Sequence, residues 1–259
     1  APPLVMVHGN PTWSFYYRRL ILGLRDEFRV IAPDHLGCGL SDKPQDYDYC
    51  LANHIANVQQ LIDHLELERF TLVMHDWGGP IGLGVATAAP ERIDRLVVFN
   101  TTCKLDADYP WQIRLMRLPL LGPVMIRGLN AFCRTAARLC ATRRPLSATA
   151  RAGLLYPYDS WAHRVAVMRF VQDIPLEPGH RTRAVGQRIS AGLPALSHKP
   201  AVICWGMRDF CFTPAFLKPW EELLPQAEVH RIEDAGHYVV EDAHEEILPW
   251  VRGFLERQT

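Results

Sequence analysis

Short apolar runs alternate with helical patterns along this chain, and that alternation admits few folds. Leu4–His8, Phe28–Pro33, Phe70–His75, Leu96–Asn100, Ala201–Trp205 and Glu228–Ile232 read as strands. Trp13–Glu27, Leu51–Leu65, Gly78–Ala89, Thr213–Leu223 and Glu241–Arg257 read as helices. Strands that alternate with helices form a mostly parallel sheet covered on both faces, an α/β fold. Right-handed crossovers then bring every strand's C-terminal end to one edge. Ligands bind at that edge in open α/β sheets, so the residues just after each strand are where chemistry is sought.

The alternation stops after Asn100 and resumes at Ala201. Residues 104–190 give only helical patterns, interrupted by Pro119, Pro123, Pro145 and Pro157. We expect residues 1–103 to form the first part of a sheet domain, 104–190 an inserted helical cap, and 191–259 the second part. Charge divides the same way. Residues 104–190 hold 14 Lys/Arg against 5 Asp/Glu, whereas the whole chain has 28 of each. Zero net charge speaks against a nucleic-acid partner. The longest charge-free apolar stretch of the middle segment, Leu118–Ile126, is far short of the roughly 20 residues a membrane span needs. No secretion leader is recognised. The seven cysteines are scattered without a C-x-x-C pair, so neither a disulfide framework nor a zinc site is expected, and a reducing cytoplasm is the expected location.

The strongest local signal is His75-Asp76-Trp77-Gly78-Gly79, which follows an apolar strand and opens a helix. A strand, a tight turn and a helix with small residues after the turn make a nucleophile elbow. The central residue is Asp76, not serine. A carboxylate is ionised at neutral pH and attacks an electrophilic carbon without a base, forming an ester. As a lone residue Asp76 reads equally well as a helix N-cap; its companions tip the reading. His237 lies in Asp234-Ala235-Gly236-His237, after the last strand, where it can act as a base on water. Asp209 follows the strand before and can orient His237; the other edge position for such an acid holds Asn100. The order Asp76, Asp209, His237 is that of nucleophile, acid and histidine in α/β-hydrolases. After the first strand, His8-Gly9-Asn10-Pro11 offers the Asn10 amide, and Trp77 offers an indole N–H; two such donors can hold a leaving anion. One departure is Met74, larger than the residue usual two before the nucleophile. G-x-S-x-G, P-loop, H-E-x-x-H and G-x-G-x-x-G motifs are absent, and no metal or cofactor is expected.

These residues resemble a known family. His8-Gly9-Asn10-Pro11-Thr12, Pro33-Asp34-His35-Leu36-Gly37-Cys38-Gly39, His75-Asp76-Trp77-Gly78-Gly79 and Gly236-His237 are similar to the haloalkane dehalogenases of the α/β-hydrolase superfamily, over nearly the whole chain. The resemblance implies Asp76 as nucleophile, His237 as base, Asp209 as acid, and Asn10 with Trp77 as the halide or leaving-group site. Arg127–Phe132, Pro157–Trp161, Arg169–Pro175, Cys204–Asp209 and Asp234–Tyr238 resemble, more closely, the β-lactone decarboxylases of bacterial long-chain olefin biosynthesis. That implies a cis-β-lactone losing CO2 to give a cis-alkene. It also implies assembly with the acyl-condensing and lactone-forming enzymes, and an N-terminal region ahead of the first strand here. On this reading the chain is a trimmed form of a longer protein.

Three other readings stand beside the decarboxylase. A haloalkane dehalogenase uses the same five residues. An epoxide hydrolase needs two cap tyrosines as acids, for which Tyr156 and Tyr158 are available. A binding module would keep the fold without the chemistry. The substrate in each enzymatic reading is small and hydrophobic, and apolar residues of Trp111–Met125 and Phe132–Leu139 are expected to line its channel. The +9 segment reads either as a solvated face or as a docking surface for an acidic partner or a membrane.

Overall fold

The computed structural model describes residues 1–105 and 111–257. Six strands form one parallel sheet: β1 (Pro3–Val7), β2 (Arg29–Ile31), β3 (Phe70–Asp76), β4 (Ile93–Thr101), β5 (Ala201–Gly206) and β6 (Glu228–Ile232), in the order β2-β1-β3-β4-β5-β6. The helices are α1 (Arg18–Leu24), α2 (Leu51–His64), α3 (Gly78–Ala88), α4 (Trp111–Met116), α5 (Ala131–Leu139), α6 (Ala148–Leu155), α7 (Val165–Gln172), α8 (Arg181–Gly192), α9 (Pro214–Leu223) and α10 (Val239–Glu256).

The strands read as continuous apolar runs because both sheet faces are buried. Val5, Val7, Leu72, Met74, Leu96, Val98, Ile203 and Trp205 point to a core shared with α2, α3, α8 and α9. Their alternates Leu4, Met6, Val73, Val97, Phe99, Val202 and Cys204 point to a core shared with α1 and α10. A period of two along each strand thus sorts one run into two layers. A third apolar cluster joins Trp13, between β1 and α1, to Ile126, Tyr158, Val167 and Val171 of the segment between β4 and β5.

Three expected boundaries shift. The helix expected over Trp13–Glu27 begins as a 3-10 turn, Ser14–Tyr17, and becomes α-helical only over Arg18–Leu24. The strand expected over Phe28–Pro33 is three residues, because β2 is the sheet edge and pairs only with β1. β1 itself is interior, flanked by β2 and β3. Among its described residues the segment between β4 and β5 holds helices joined by turns and loops, with no strand, and includes a π-helical turn over Pro123–Gly128. Its last helix, α8, packs against α3 and α2 on the sheet side, so the expected boundary at residue 190 falls inside a helix of the sheet layer. Residues 106–110, at the start of the expected cap, lie outside the described residues.

The strand order reverses direction between β1 and β3, which makes the C-terminal ends of those two strands the natural binding crevice. Close approach there depends on glycine. A Cβ on Gly78 would sit 1.9 Å from the Val7 carbonyl oxygen, so only glycine lets α3 start against the end of β1. Backbone cannot retreat as a flexible side chain can. We therefore expect Gly78→Ala to cost about 1–3 kcal/mol or more, read as a lower urea midpoint with unchanged slope; an unchanged midpoint would refute the packing argument.

Candidate active site

β3 delivers Asp76 to the crevice, and the chain turns there with φ +51°. A non-glycine residue in the left-handed region is strained and needs support from its surroundings. The support is visible. The Asn10 backbone N–H donates to Asp76 Oδ1 at 2.6 Å, and the Thr101 hydroxyl donates to the Asp76 carbonyl oxygen. The bulk of Met74, unusual at its position, lies over Gly82 of α3, where a Cβ would come within 2.9 Å of its sulfur.

His237 follows β6 and faces Asp76. Its Nδ1 lies 2.8 Å from Asp209 Oδ2, and its Nε2 lies 3.7 Å from Asp76 Oδ2. Asp209 is fully fixed, since its Oδ1 also accepts from the Cys211 and Phe212 backbone N–H groups at 2.6 and 3.0 Å. The Nδ1–H therefore donates to Asp209, which leaves Nε2 turned towards Asp76. Burial favours neutral imidazole, but the charge and hydrogen bond of Asp209, with the charge of Asp76, outweigh it and raise the His237 pKa. Burial likewise raises the Asp76 pKa, against the opposing pull of His237 and the Asn10 and Trp77 backbone N–H groups.

The other histidines at this edge serve structure. His8 donates from Nδ1 to the Gly9 carbonyl and accepts at Nε2 from the His35 N–H, and burial pushes its pKa down to about 4. His75 donates from Nε2 to the His237 carbonyl at 2.9 Å and stacks on Tyr16, with burial holding it well below the ordinary histidine range. Asn100 clamps β4 to β5, its amide giving to the Gly206 carbonyl and accepting from the Gly206 N–H.

These groups open onto a cavity of about 500 Å³. Asn10, Asp76, Trp77 and His237 form its floor, and the remaining wall is almost wholly apolar. Asn10 Nδ2 uses one proton on the Val167 carbonyl at 3.2 Å, so the second remains for a ligand. Asn10 Oδ1 is buried without a partner among the described residues. All five residues singled out in the sequence thus meet at one place: four line the cavity, and Asp209 sits behind His237.

Ile113, Met116 and Met125, and Phe132, Ala136 and Leu139, line the wall as expected; Trp111 is exposed instead. The tyrosines of the epoxide hydrolase reading do not reach the cavity. Tyr156 is exposed, and Tyr158 is buried with its hydroxyl donated to the Thr12 carbonyl. Sequence reasoning missed Phe210, Cys211 and Phe212, whose signal was their position directly after Asp209. It also missed Val171 and Ile174, which line the cavity from the end of α7 and just beyond. Asp242 was missed too. Buried on α10, it accepts from the backbone N–H groups of Gly236, Thr142 and Arg143, tying the His237 loop to the segment after α5. Asp173, inside a resembling block, is a structural tie: it accepts from the Leu51 N–H at the start of α2 and from the Thr182 hydroxyl.

The α/β-hydrolase fold family matches residues 2–243. A cis-3-alkyl-4-alkyloxetan-2-one decarboxylase of Shewanella oneidensis is 48% identical over 98% of this chain and 81% of its own length. A haloalkane dehalogenase of Mycobacterium bovis is 34% identical over 95% of this chain and 85% of its own. The crystal structure of a haloalkane dehalogenase from Bradyrhizobium elkani superimposes with a TM-score of 0.84 at 25% identity, covering 98% of this chain and 91% of that one. The chain belongs to the α/β-hydrolase fold family, and within it to the haloalkane dehalogenase-like enzymes that include the Shewanella decarboxylase.

The electrostatic account makes a direct prediction. Without the Asp209 charge, burial dominates at His237. In Asp209→Asn the His237 pKa, followed by ring NMR shifts, should fall from above 6.5 to below it. A pKa that stays raised would mean that Asp209 does not set the imidazole's charge.

Proposed function

We propose that this protein is a β-lactone decarboxylase that converts cis-3,4-dialkyl-β-lactones into cis-alkenes and CO2 in olefinic hydrocarbon biosynthesis. The observation that carries the reading is the 48% identity to the Shewanella decarboxylase across nearly the whole chain. The site supports it chemically. Asp76 is the nucleophile, His237 its partner, Asp209 the acid, and Asn10 with Trp77 the leaving-group site. Helices α4, α5 and α7, with the π-helical turn over Pro123–Gly128, supply the cap that closes the cavity over long alkyl chains.

The atoms balance without water. Asp76 Oδ1 is held by the Asn10 N–H, so Oδ2, on the His237 side, attacks the ring carbon bearing the ring oxygen. The C–O bond breaks, and its electron pair leaves as a carboxylate received by Asn10 and Trp77. That carboxylate departs as CO2. The electron pair of its C–C bond forms the alkene, and the ester bond to Asp76 breaks to restore the carboxylate. Inversion at attack followed by anti departure keeps the cis arrangement. Protonated His237 stabilises Asp76 as it leaves.

The second reading, haloalkane dehalogenase, is favoured by the 34% relative and uses the same first step with halide leaving. There the ester needs water, and His237 must be neutral to activate it. We also place the enzyme in the cytoplasm, where its seven free cysteines stay reduced, in assembly with the enzymes that condense acyl chains and close the lactone.

The two readings separate in a paired assay. A long-chain cis-β-lactone should give cis-alkene by gas chromatography–mass spectrometry, while 1-bromobutane and 1,2-dibromoethane release little bromide. Fast bromide without alkene would establish the dehalogenase instead. Asp76→Ala should lower kcat by a factor on the order of 10⁴; retained turnover would remove the covalent route.

The pH profiles should differ in sign. Decarboxylation needs ionised Asp76 and protonated His237, so its rate falls as pH rises through the raised His237 pKa. Bromide turnover, if present, rises over the same range.

A further inference from the structure

The helical segment between β4 and β5 is apolar on two sides, and only one of them is covered. Ile113, Met116 and Met125 face the cavity. On the same stretch Trp111, Leu118, Leu120 and Val124 are 65%, 47%, 84% and 54% exposed. The π-helical turn packs against α4 and leads directly into α5, at whose end Leu139 is 58% exposed. Leu139 and the half-exposed Phe210 also line the cavity, so exposed apolar side chains of this segment extend to the cavity wall. Exposed apolar side chains concentrated in this way mark an interaction site.

The charge on this face identifies what covers it. Residues 109–158 contain eight arginines and neither Asp nor Glu. Arg117, Arg143 and Arg144 are taken by Glu177, by Asp234 with Glu246, and by Glu245. Arg114, Arg134 and Arg138 are exposed and form no ion pair with the described residues. A second copy of this face would set arginine against arginine with no carboxylate in the segment to relieve it. An apolar surface set among arginines instead matches the boundary of an anionic bilayer, where acyl chains receive the leucines and Trp111, and lipid phosphates receive the guanidinium groups.

We propose that the protein docks on anionic membrane surfaces through residues 111–139, with the cavity mouth turned to the bilayer. An apolar substrate dissolved in the acyl phase then enters past Leu139 and Phe210 without crossing water. The inference rests on the face itself and not on which reaction the cavity performs.

Flotation of the full chain with phosphatidylglycerol or phosphatidylcholine vesicles tests it without any activity measurement. The protein should float with phosphatidylglycerol, bind phosphatidylcholine far less, and be released by about 0.5 M salt. Leu118→Glu with Leu120→Glu should weaken binding at least about tenfold. Arg134→Glu with Arg138→Glu should weaken it about fivefold or more for each arginine removed. Circular dichroism spectra and turnover of a short, water-soluble substrate should be unchanged in both, since none of the four residues lines the cavity. Absence of flotation with phosphatidylglycerol, or unchanged flotation of the leucine variant, overturns the proposal. So does a dimer in size-exclusion chromatography that the leucine variant dissociates while vesicles bind neither form. Capture only by an acidic protein, with no vesicle binding, overturns it as well.

Discussion

The architecture turns on one strained backbone position, the left-handed turn at Asp76. A carboxylate at the tip of a buried strand would normally be lost to a helix cap or to solvent. Here the turn lifts it to the crevice, while the Asn10 N–H holds one oxygen and the Thr101 hydroxyl holds the carbonyl behind it. One support lies in the loop just after β1 and the other ends β4, the two strands that flank β3 in parallel register. The sheet order is therefore part of the chemistry. The reversal of direction between β1 and β3 supplies the gap into which Asp76 points, and Gly78 lets α3 close beneath it. A strained residue at the reactive position, supported from both sides, is the arrangement in which strain serves preorganisation.

Much of this was legible in the sequence for a physical reason. A parallel sheet buried on both faces writes its strands as short apolar runs, and connections of fixed hand put their ends on one edge. Asp76, Asn10, Asp209 and His237 could each be placed at a strand end, and Trp77 followed from its neighbour. What stayed hidden depends on contacts distant in sequence. Asn100 looked like an empty acid position, but only the pairing of β4 with β5 reveals it as a clamp on Gly206. Asp242 gave no signal, because its three backbone donors come from two separate loops. The 3-10 start before α1 and the short β2 were misjudged because boundaries answer to edges and local turns rather than to periodicity. The place of α8 in the sheet layer is likewise a matter of packing, not of its helical pattern.

Charge at the site is balanced among three groups and not held by any one. Burial alone would neutralise both Asp76 and His237. Asp209, anchored by two backbone N–H groups, keeps the imidazole's charge favourable, and that charge in turn opposes the rise that burial imposes on the Asp76 pKa. The neighbouring histidines contribute by remaining uncharged. His75, held neutral by burial, donates to the His237 backbone and so fixes the loop without adding a competing cation.

On the proposed roles, the same balance lets one site serve either reaction. Attack by Asp76 on a carbon with an anionic leaving group would make the same demand whether the anion is a halide or a ring-opened carboxylate. Asn10 and Trp77 would receive it in a cavity that offers little other polar surface. The reactions part only afterwards. A bound carboxylate carries its own exit, since loss of CO2 supplies the electron pair that releases Asp76. A simple alkyl ester has no such route and must wait for water. On the proposed mechanism the fate of the ester is decided by the substrate and by the charge on His237. Selection between the two reactions would then fall on wall residues such as Met125, Phe132 and Leu139, which line the path of an alkyl chain towards Asp76, more than on the five polar residues.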